Sequence, residues 1–243
     1  ANGSITPYTG ACDQSLVQEA HAADVLVIPL INAPSGAVST VIRNSTLRAA
    51  HVSAIVTEVL ACGYDGIDVD YETMVADDRA YFTLFIQELA AALHAQGRLL
   101  AVAVYPKTSE PGLSQAAMAQ DYAALGAAVD RFRVMTYNYH YRTSLPGPIA
   151  PVWWMDDVAA FATQQVSSEK VYLGIHFYGY DWVVGGSATS LVWDQVPGLM
   201  ATYGATRQWA ASDGNGTVAE PWFSYTAGST AHEVWYVDGE SVA

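Results

Sequence analysis

Positive charge is scarce in this chain. Its 243 residues include 10 Lys and Arg against 24 Asp and Glu, for a formal net charge of −14. Lysine occurs only at Lys107 and Lys170. This balance argues against nucleic acid and anionic membrane surfaces as partners, since both are held by cationic patches. A neutral polymer such as a polysaccharide is compatible with it. No apolar run reaches the length of a membrane span. No basic–apolar–small segment opens the chain as a secretory signal would. The two cysteines, Cys12 and Cys62, follow no metal-binding spacing, and a disulfide or buried thiols are both open. No Gly-rich loop follows the first apolar run, which removes the usual nucleotide signal. His140, His176 and His232 form no i,i+4 pair, so hydrogen-bonded imidazoles are expected rather than metal ligands.

What is present is a large apolar and aromatic content: 51% hydrophobic residues, 7 Trp and 15 Tyr. Such a chain can bury one large core. Strand and helix patterns alternate. Strands are expected near residues 5–8, 25–31, 66–72, 99–105, 132–138 and 171–177. Helices are expected at about 13–22, 35–42, 45–61, 76–95, 122–129 and 151–166. Asp13 and Asn44 are candidate N-caps and Gly63 a C-terminal stop. Apart from the acidic stretch at 66–72, the strand runs do not alternate apolar with polar. That pattern predicts a parallel sheet buried on both faces, in a doubly wound sheet or a barrel. After Tyr180 the pattern changes to Gly-rich turns, a helix at 191–203 and short strands near 206–209, 222–225 and 233–237.

The stretch GYDGIDVDYE, residues 63–72, carries the chemistry. Read with period two, Ile67, Val69 and Tyr71 form an apolar face, and Gly66, Asp68, Asp70 and Glu72 point the other way. Three carboxylates aimed at one place repel each other, and burial raises the cost. They are expected to titrate as a coupled set with one member protonated near neutral pH. No basic residue lies nearby in sequence to pair with them. A calcium loop also places Asp at alternate positions, but it needs a central Gly turn on a loop rather than a β-branched alternation. A carboxyl group that keeps its proton beside ionised carboxylates suits general acid catalysis.

The run DGIDVDYE resembles the signature of glycoside hydrolase family 18, D-G-x-D-x-D-x-E. Met135-Thr136-Tyr137-Asn138 is similar to the family's Met-x-Tyr-Asp landmark, with Asn138 in place of the usual Asp. PGPIAP at 146–151, LGIHFYGYDW at 173–182, EPWFSY at 220–225 and HEVWYVDGESVA at 232–243 resemble the branch containing bacterial spore-cortex-lytic N-acetylglucosaminidases. The resemblance implies a TIM-type (β/α)8 barrel. Residues 1–180 would form the barrel core, 181–237 a small α+β insertion, and 238–243 the opening of a further barrel helix. It implies a chitinase-like hydrolase that cleaves β-1,4-linked N-acetylglucosamine polymers, chitin or peptidoglycan, with retention. In this mechanism the substrate's own acetamido oxygen is the nucleophile, with no cofactor and no metal. Glu72 would be the general acid. Asp70 would hold the acetamido nitrogen, and Asp68 would share a proton with Asp70. Tyr137 would fix the acetamido oxygen. Asn138, Tyr178, Asp181 and Trp182 would contact sugar. A secreted or cell-wall location is expected. The competing class is a non-catalytic sugar-binding protein on the same barrel. Such relatives usually lose the acid, and here Glu72 is present.

Counted against the family order, residues 5–8 correspond to the second barrel strand and 238–243 precede the last one. An incomplete barrel is therefore expected, lacking its first and last strands. Its open apolar seam would favour self-association.

Overall fold

The computed structural model describes residues 2–34 and 36–242. Ser35, the expected start of the second helix, and Ala243, in the expected last helix, lie outside the described residues. The chain divides into two compact units. One comprises Ala1–Met135 with Phe161–Leu173, the other Thr136–Ala160 with Gly174–Ala243.

The first unit holds a five-stranded parallel sheet in sequential order: β1 (Leu30–Asn32), β2 (Gly66–Asp70), β3 (Leu99–Val104), β4 (Arg131–Val134) and β5 (Val171–Leu173). Its helices are α1 (Gln14–Ala22), α2 (Ala37–Arg43), α3 (Ser45–Cys62), α4 (Arg79–His94), α5 (Gln115–Met118) and α6 (Tyr122–Ala128). The expected caps form. Asp13 accepts from the N–H groups of Ser15 and Leu16. Asn44 accepts from Leu47 N–H, and Gly63 ends α3 at φ 71°, a conformation that favours glycine. α4 buries Phe82, Phe85, Ile86, Leu89, Ala90 and Leu93, each large side chain contributing roughly 1.5–3 kcal/mol. Lys170 donates to the carbonyls of Gly126 and Val129 at the C-terminal end of α6, where a cation also suits the helix dipole. Cys12 and Cys62 form a disulfide.

Among the described residues five parallel strands are found where six were expected. Residues 5–8 are irregular; Pro7 has no N–H for a ladder, and Tyr8 is exposed. The 25–31 run contributes only its end to β1, because Pro29 interrupts the donor series. Pro29 still accepts from Asp68 N–H. β1 and β5 are the two edges of this sheet, and Leu30, Tyr172 and Leu173 on them are exposed.

The second unit is built on an antiparallel sheet of order β7-β6-β10-β9-β8. Its strands are β6 (Tyr178–Val183), β7 (Ala188–Val192), β8 (Gln208–Ser212), β9 (Thr217–Ala227) and β10 (Thr230–Trp235). Helix α7 (Val152–Gln165) precedes the sheet in sequence and α8 (Val196–Tyr203) lies within it. Tyr178 directly follows the strand expected at 171–177. It opens β6, which pairs antiparallel with β7 and β10. The helix expected from 191 begins at Val196, since Leu191 and Val192 belong to β7. Residues 239–242 form turns, and Asp238 accepts from the N–H groups of Glu240 and Ser241.

Candidate active site

Strand β2, in the first unit, carries the predicted carboxylates Asp68 and Asp70. Gly66 begins it because an added Cβ would lie 2.3 Å from the carbonyl oxygen of Leu99; only glycine lets β2 and β3 approach there. The apolar face packs as expected. Ile67, Val69 and Tyr71 are buried, and the Tyr71 hydroxyl lies 2.5 Å from His51 Nε2. Along the other face exposure rises with position: Asp68 is 1% exposed, Asp70 half-buried and Glu72 exposed. Burial, and then the charge of Glu72, push the Asp70 carboxyl up to about 6. Glu72 lies two residues beyond the strand and its Oε2 accepts from the Tyr105 hydroxyl at 2.8 Å.

Asp68 has a basic partner after all. Arg133 of β4 forms an ion pair with it. The register explains the reach: Asp68 is opposite Ala101 on β3, and Ala103 is opposite Arg133. Two alanines on the intervening strand leave room for a guanidinium to cross it. No hydrogen bond joins Asp68 to Asp70, since neither oxygen of Asp68 has a hydrogen-bond partner.

The second unit holds the other predicted residues. Asn138 has φ 64°, left-handed for a non-glycine residue. Its Oδ1 accepts two hydroxyls, Tyr178 at 2.5 Å and Tyr180 at 3.1 Å. The Tyr137 ring meets that of Tyr178 edge-on, with centroids 6.1 Å apart. Thr136 donates to the Gly174 carbonyl at 2.8 Å, tying the two segments together. Tyr178, Tyr180 and Trp182 share one face of β6, and exposure falls along it until Trp182 is fully buried. Trp182 packs with Ile149, Tyr180, Ala188, Val218 and Trp235. It is a core residue rather than an open stacking surface. Asp181 points to the opposite face, where it accepts from the Tyr225 hydroxyl at 2.6 Å and lies 2.9 Å from His232 Nδ1. His176 is buried with neither ring nitrogen hydrogen-bonded, and burial pushes it down to about 4.

Sequence reasoning missed Tyr105, Arg133 and Tyr180. Tyr180 was legible in principle from the period-two spacing of Tyr178, Tyr180 and Trp182. The others come from distant segments and have no local signal.

Residues 19–241 match the family model described as glycosyl hydrolases family 18. The putative sporulation-specific glycosylase YdhD of Bacillus subtilis is 34% identical over 226 residues, covering 88% of this chain and 52% of that protein. The cortical fragment-lytic enzyme of B. subtilis is 29% identical over 202 residues, covering 83% of this chain and 47% of that protein. The chain spans about half the length of these curated relatives. Among solved structures, YdhD superposes with a TM-score of 0.90 at 29% identity, over 99% of this chain and 80% of that one. A chitinase from Chromobacterium violaceum superposes with a TM-score of 0.86 at 28% identity, over 99% of this chain and 76% of that one.

Proposed function

The chain belongs to glycoside hydrolase family 18, and from that membership we propose that it hydrolyses β-1,4-linked N-acetylglucosamine polymers with retention, using the substrate's acetamido group as nucleophile. The observation that carries this reading is the carboxylate row along β2 and just past its end, graded from buried Asp68 to exposed Glu72. In this reading Glu72 protonates the leaving oxygen, and the Tyr105 hydroxyl holds its carboxyl group. Asp70 binds the acetamido N–H and then stabilises the positive charge of the oxazolinium ion. Burial, and then the charge of Glu72, raise the affinity of Asp70 for protons, so Asp70 can hold a proton close to neutral pH. Asp68, paired with Arg133, supports Asp70 from beneath as a fixed anion. Tyr137 donates to the acetamido oxygen, and Asn138 hydrogen-bonds sugar without adding charge.

Chitin and the glycan strands of peptidoglycan carry the same linkage chemistry. Relatives named as cortical fragment-lytic enzymes and chitinases support both as substrates. The Cys12–Cys62 disulfide supports work outside the reducing cytosol, since such bonds persist in oxidising compartments.

The test is hydrolysis of a chromogenic N-acetylglucosamine oligomer beside a glucose oligomer of the same length. Cleavage of the first only, with inhibition by a thiazoline mimic of the oxazolinium ion, is the expected result. Fast cleavage of the unsubstituted glucan would contradict the mechanism. Binding of the oligomer without turnover would leave a sugar-binding protein instead.

A further inference from the structure

Glu220 lies on β9 and is 2% exposed. Other buried charges in the chain face opposite charges; Asp78, for example, pairs with Arg43. No cation pairs with Glu220 among the described residues. Its two oxygens instead accept two consecutive backbone N–H groups, Oε2 from Ile149 at 2.8 Å and Oε1 from Ala150. Such an arrangement is costly. A buried carboxylate without a counter-ion needs hydrogen bonds on both oxygens. The backbone beside it is also unusual: Ala219 has φ 60°, a conformation unfavourable for a residue with a Cβ. The register between β8 and β9 shifts between Ala210 and Ser212, just past the Ala210–Glu220 pair.

Both accepted N–H groups belong to one loop, residues 139–150. Its return limb is zipped to its outgoing limb: Tyr139 N–H donates to the Ile149 carbonyl at 2.8 Å, and His140 N–H to the Pro148 carbonyl at 3.3 Å. The outgoing limb follows Tyr137 and Asn138 directly in the chain. Asn138 has a left-handed backbone, and its Oδ1 accepts from the Tyr178 and Tyr180 hydroxyls. A continuous series of contacts therefore runs from Glu220 through Ile149 and Tyr139 to Asn138. The Arg142 carbonyl, accepting from Ala188 N–H at 2.7 Å, ties the loop at a second point.

We propose that Glu220 is a positioning residue: its buried carboxylate clamps the 139–150 loop and thereby sets the placement of Tyr137 and Asn138 for sugar. The part concerning sugar rests on the hydrolase reading above. The part concerning placement does not.

Glu220→Gln tests both. The amide keeps the shape but offers one acceptor, and its NH2 group opposes the second backbone N–H. Amide resonances of Tyr137, Asn138 and Tyr139 should shift in the two-dimensional NMR spectrum of the variant, along with those of Ile149 and Ala150. The specificity constant (kcat/KM) on an N-acetylglucosamine oligomer, measured above pH 7 where Glu220 is ionised, should fall about tenfold, the scale of one lost hydrogen bond to a charged group. Adding Asn138→Ala should cost little beyond the worse of the two single variants, because coupled residues are not additive. Additive losses, or resonances of 137–139 unmoved while 149 and 150 shift, would overturn the clamp. If the wild-type protein cleaves no N-acetylglucosamine polymer, the hydrolase reading fails while the NMR comparison still decides the placement. Should Glu220→Gln not fold, Glu220→Asp, which keeps the charge and shortens the reach, is put through the same comparison.

Discussion

The two units satisfy their buried polar groups in different ways. In the first, charge meets charge. Asp78 pairs with Arg43 at 2.6 Å, Arg48 with Glu88 at 2.8 Å, Lys107 with Glu110 at 3.2 Å, and Asp68 with Arg133. In the second, Glu220, Asp181 and the more exposed Asn138 meet neutral partners or histidine, while His176 is buried without a hydrogen bond. Glu220 is held by backbone N–H groups, Asn138 by two tyrosine hydroxyls, and Asp181 by Tyr225 and His232. The ion pairs of Arg207 with Asp238 and Glu240 in the second unit are half-exposed at most on the arginine side. In the reading proposed here the difference has a purpose. The first unit fixes where charge resides so that a proton can be held at Asp70. The second recognises a neutral sugar, for which hydroxyls and amides are the matching groups.

The largest effect should come from the charged side of this comparison. Glu72→Gln keeps the size of the acid and removes its transferable proton. Turnover should drop by at least about a hundredfold, the lower end of general acid catalysis, with sugar affinity largely kept. Near-normal turnover would move the acid elsewhere. Next is Arg133→Leu, which leaves the buried Asp68 without its cation. Breaking a buried pair is strongly destabilising. Because Arg133 itself is part exposed, a loss of about 1–3 kcal/mol is expected in denaturant unfolding. Adding Asp68→Asn should recover part of it. Equal instability of the single and double variants would show that the pair matters little.

On the neutral side, Tyr178→Phe removes one of the two hydroxyls on Asn138. A net loss near 1 kcal/mol predicts a severalfold weaker sugar affinity at nearly unchanged thermal stability. A drop in stability without a change in affinity would make Tyr178 a core residue only. The smallest expected effect is on the pH dependence of stability. Burial pushes Asp70 up to about 6 and Glu220 up to about 7, the latter against two backbone hydrogen bonds. Both folded values lie above the ordinary carboxylate range, so the folded chain holds protons that the unfolded chain has released. Stability from these two groups should therefore decline as pH rises from about 4.5 to 7. Asp78 works in the opposite sense. Burial pushes it up, but hydrogen bonds from Ser39, Val75 N–H and Arg43 hold it below the ordinary value, so its contribution is lost as pH falls through the acid range. Buried His176, pushed down to about 4, makes stability rise with pH through the same window, so the test is the difference between proteins. Thermal midpoints measured across pH 4.5–7 should fall less, or rise more, with pH in Asp70→Asn and Glu220→Gln than in the wild type. A pH dependence unchanged in both variants would contradict both shifts.

The same division explains what could be read from sequence. Helix caps are local chemistry, so Asp13, Asn44 and Gly63 announced α1 and α3. The period of two in GIDVD announced which residues of β2 share a face. Strands β6 and β7 were not legible. Their partners are antiparallel and one of them, β10, is distant in the chain, while the glycines at 185 and 186 read as a turn with no strand expected right after them. Residues 5–8 look like a strand by composition but find no ladder partner. Arg133 could be matched to Asp68 only once the register placed two alanines between them. Trp182 looked like a sugar platform because indoles stack on sugars, yet the alternation along β6 sends it into the core.

The central claim, that the carboxylates of β2 work with the substrate's acetamido group as nucleophile, is most directly tested by proton NMR of the first sugar released from an N-acetylglucosamine oligomer. The account predicts that the β-anomer appears first and converts slowly to the equilibrium mixture. An α-anomer appearing first would mean inversion by a water attacking from the opposite face, and would contradict it.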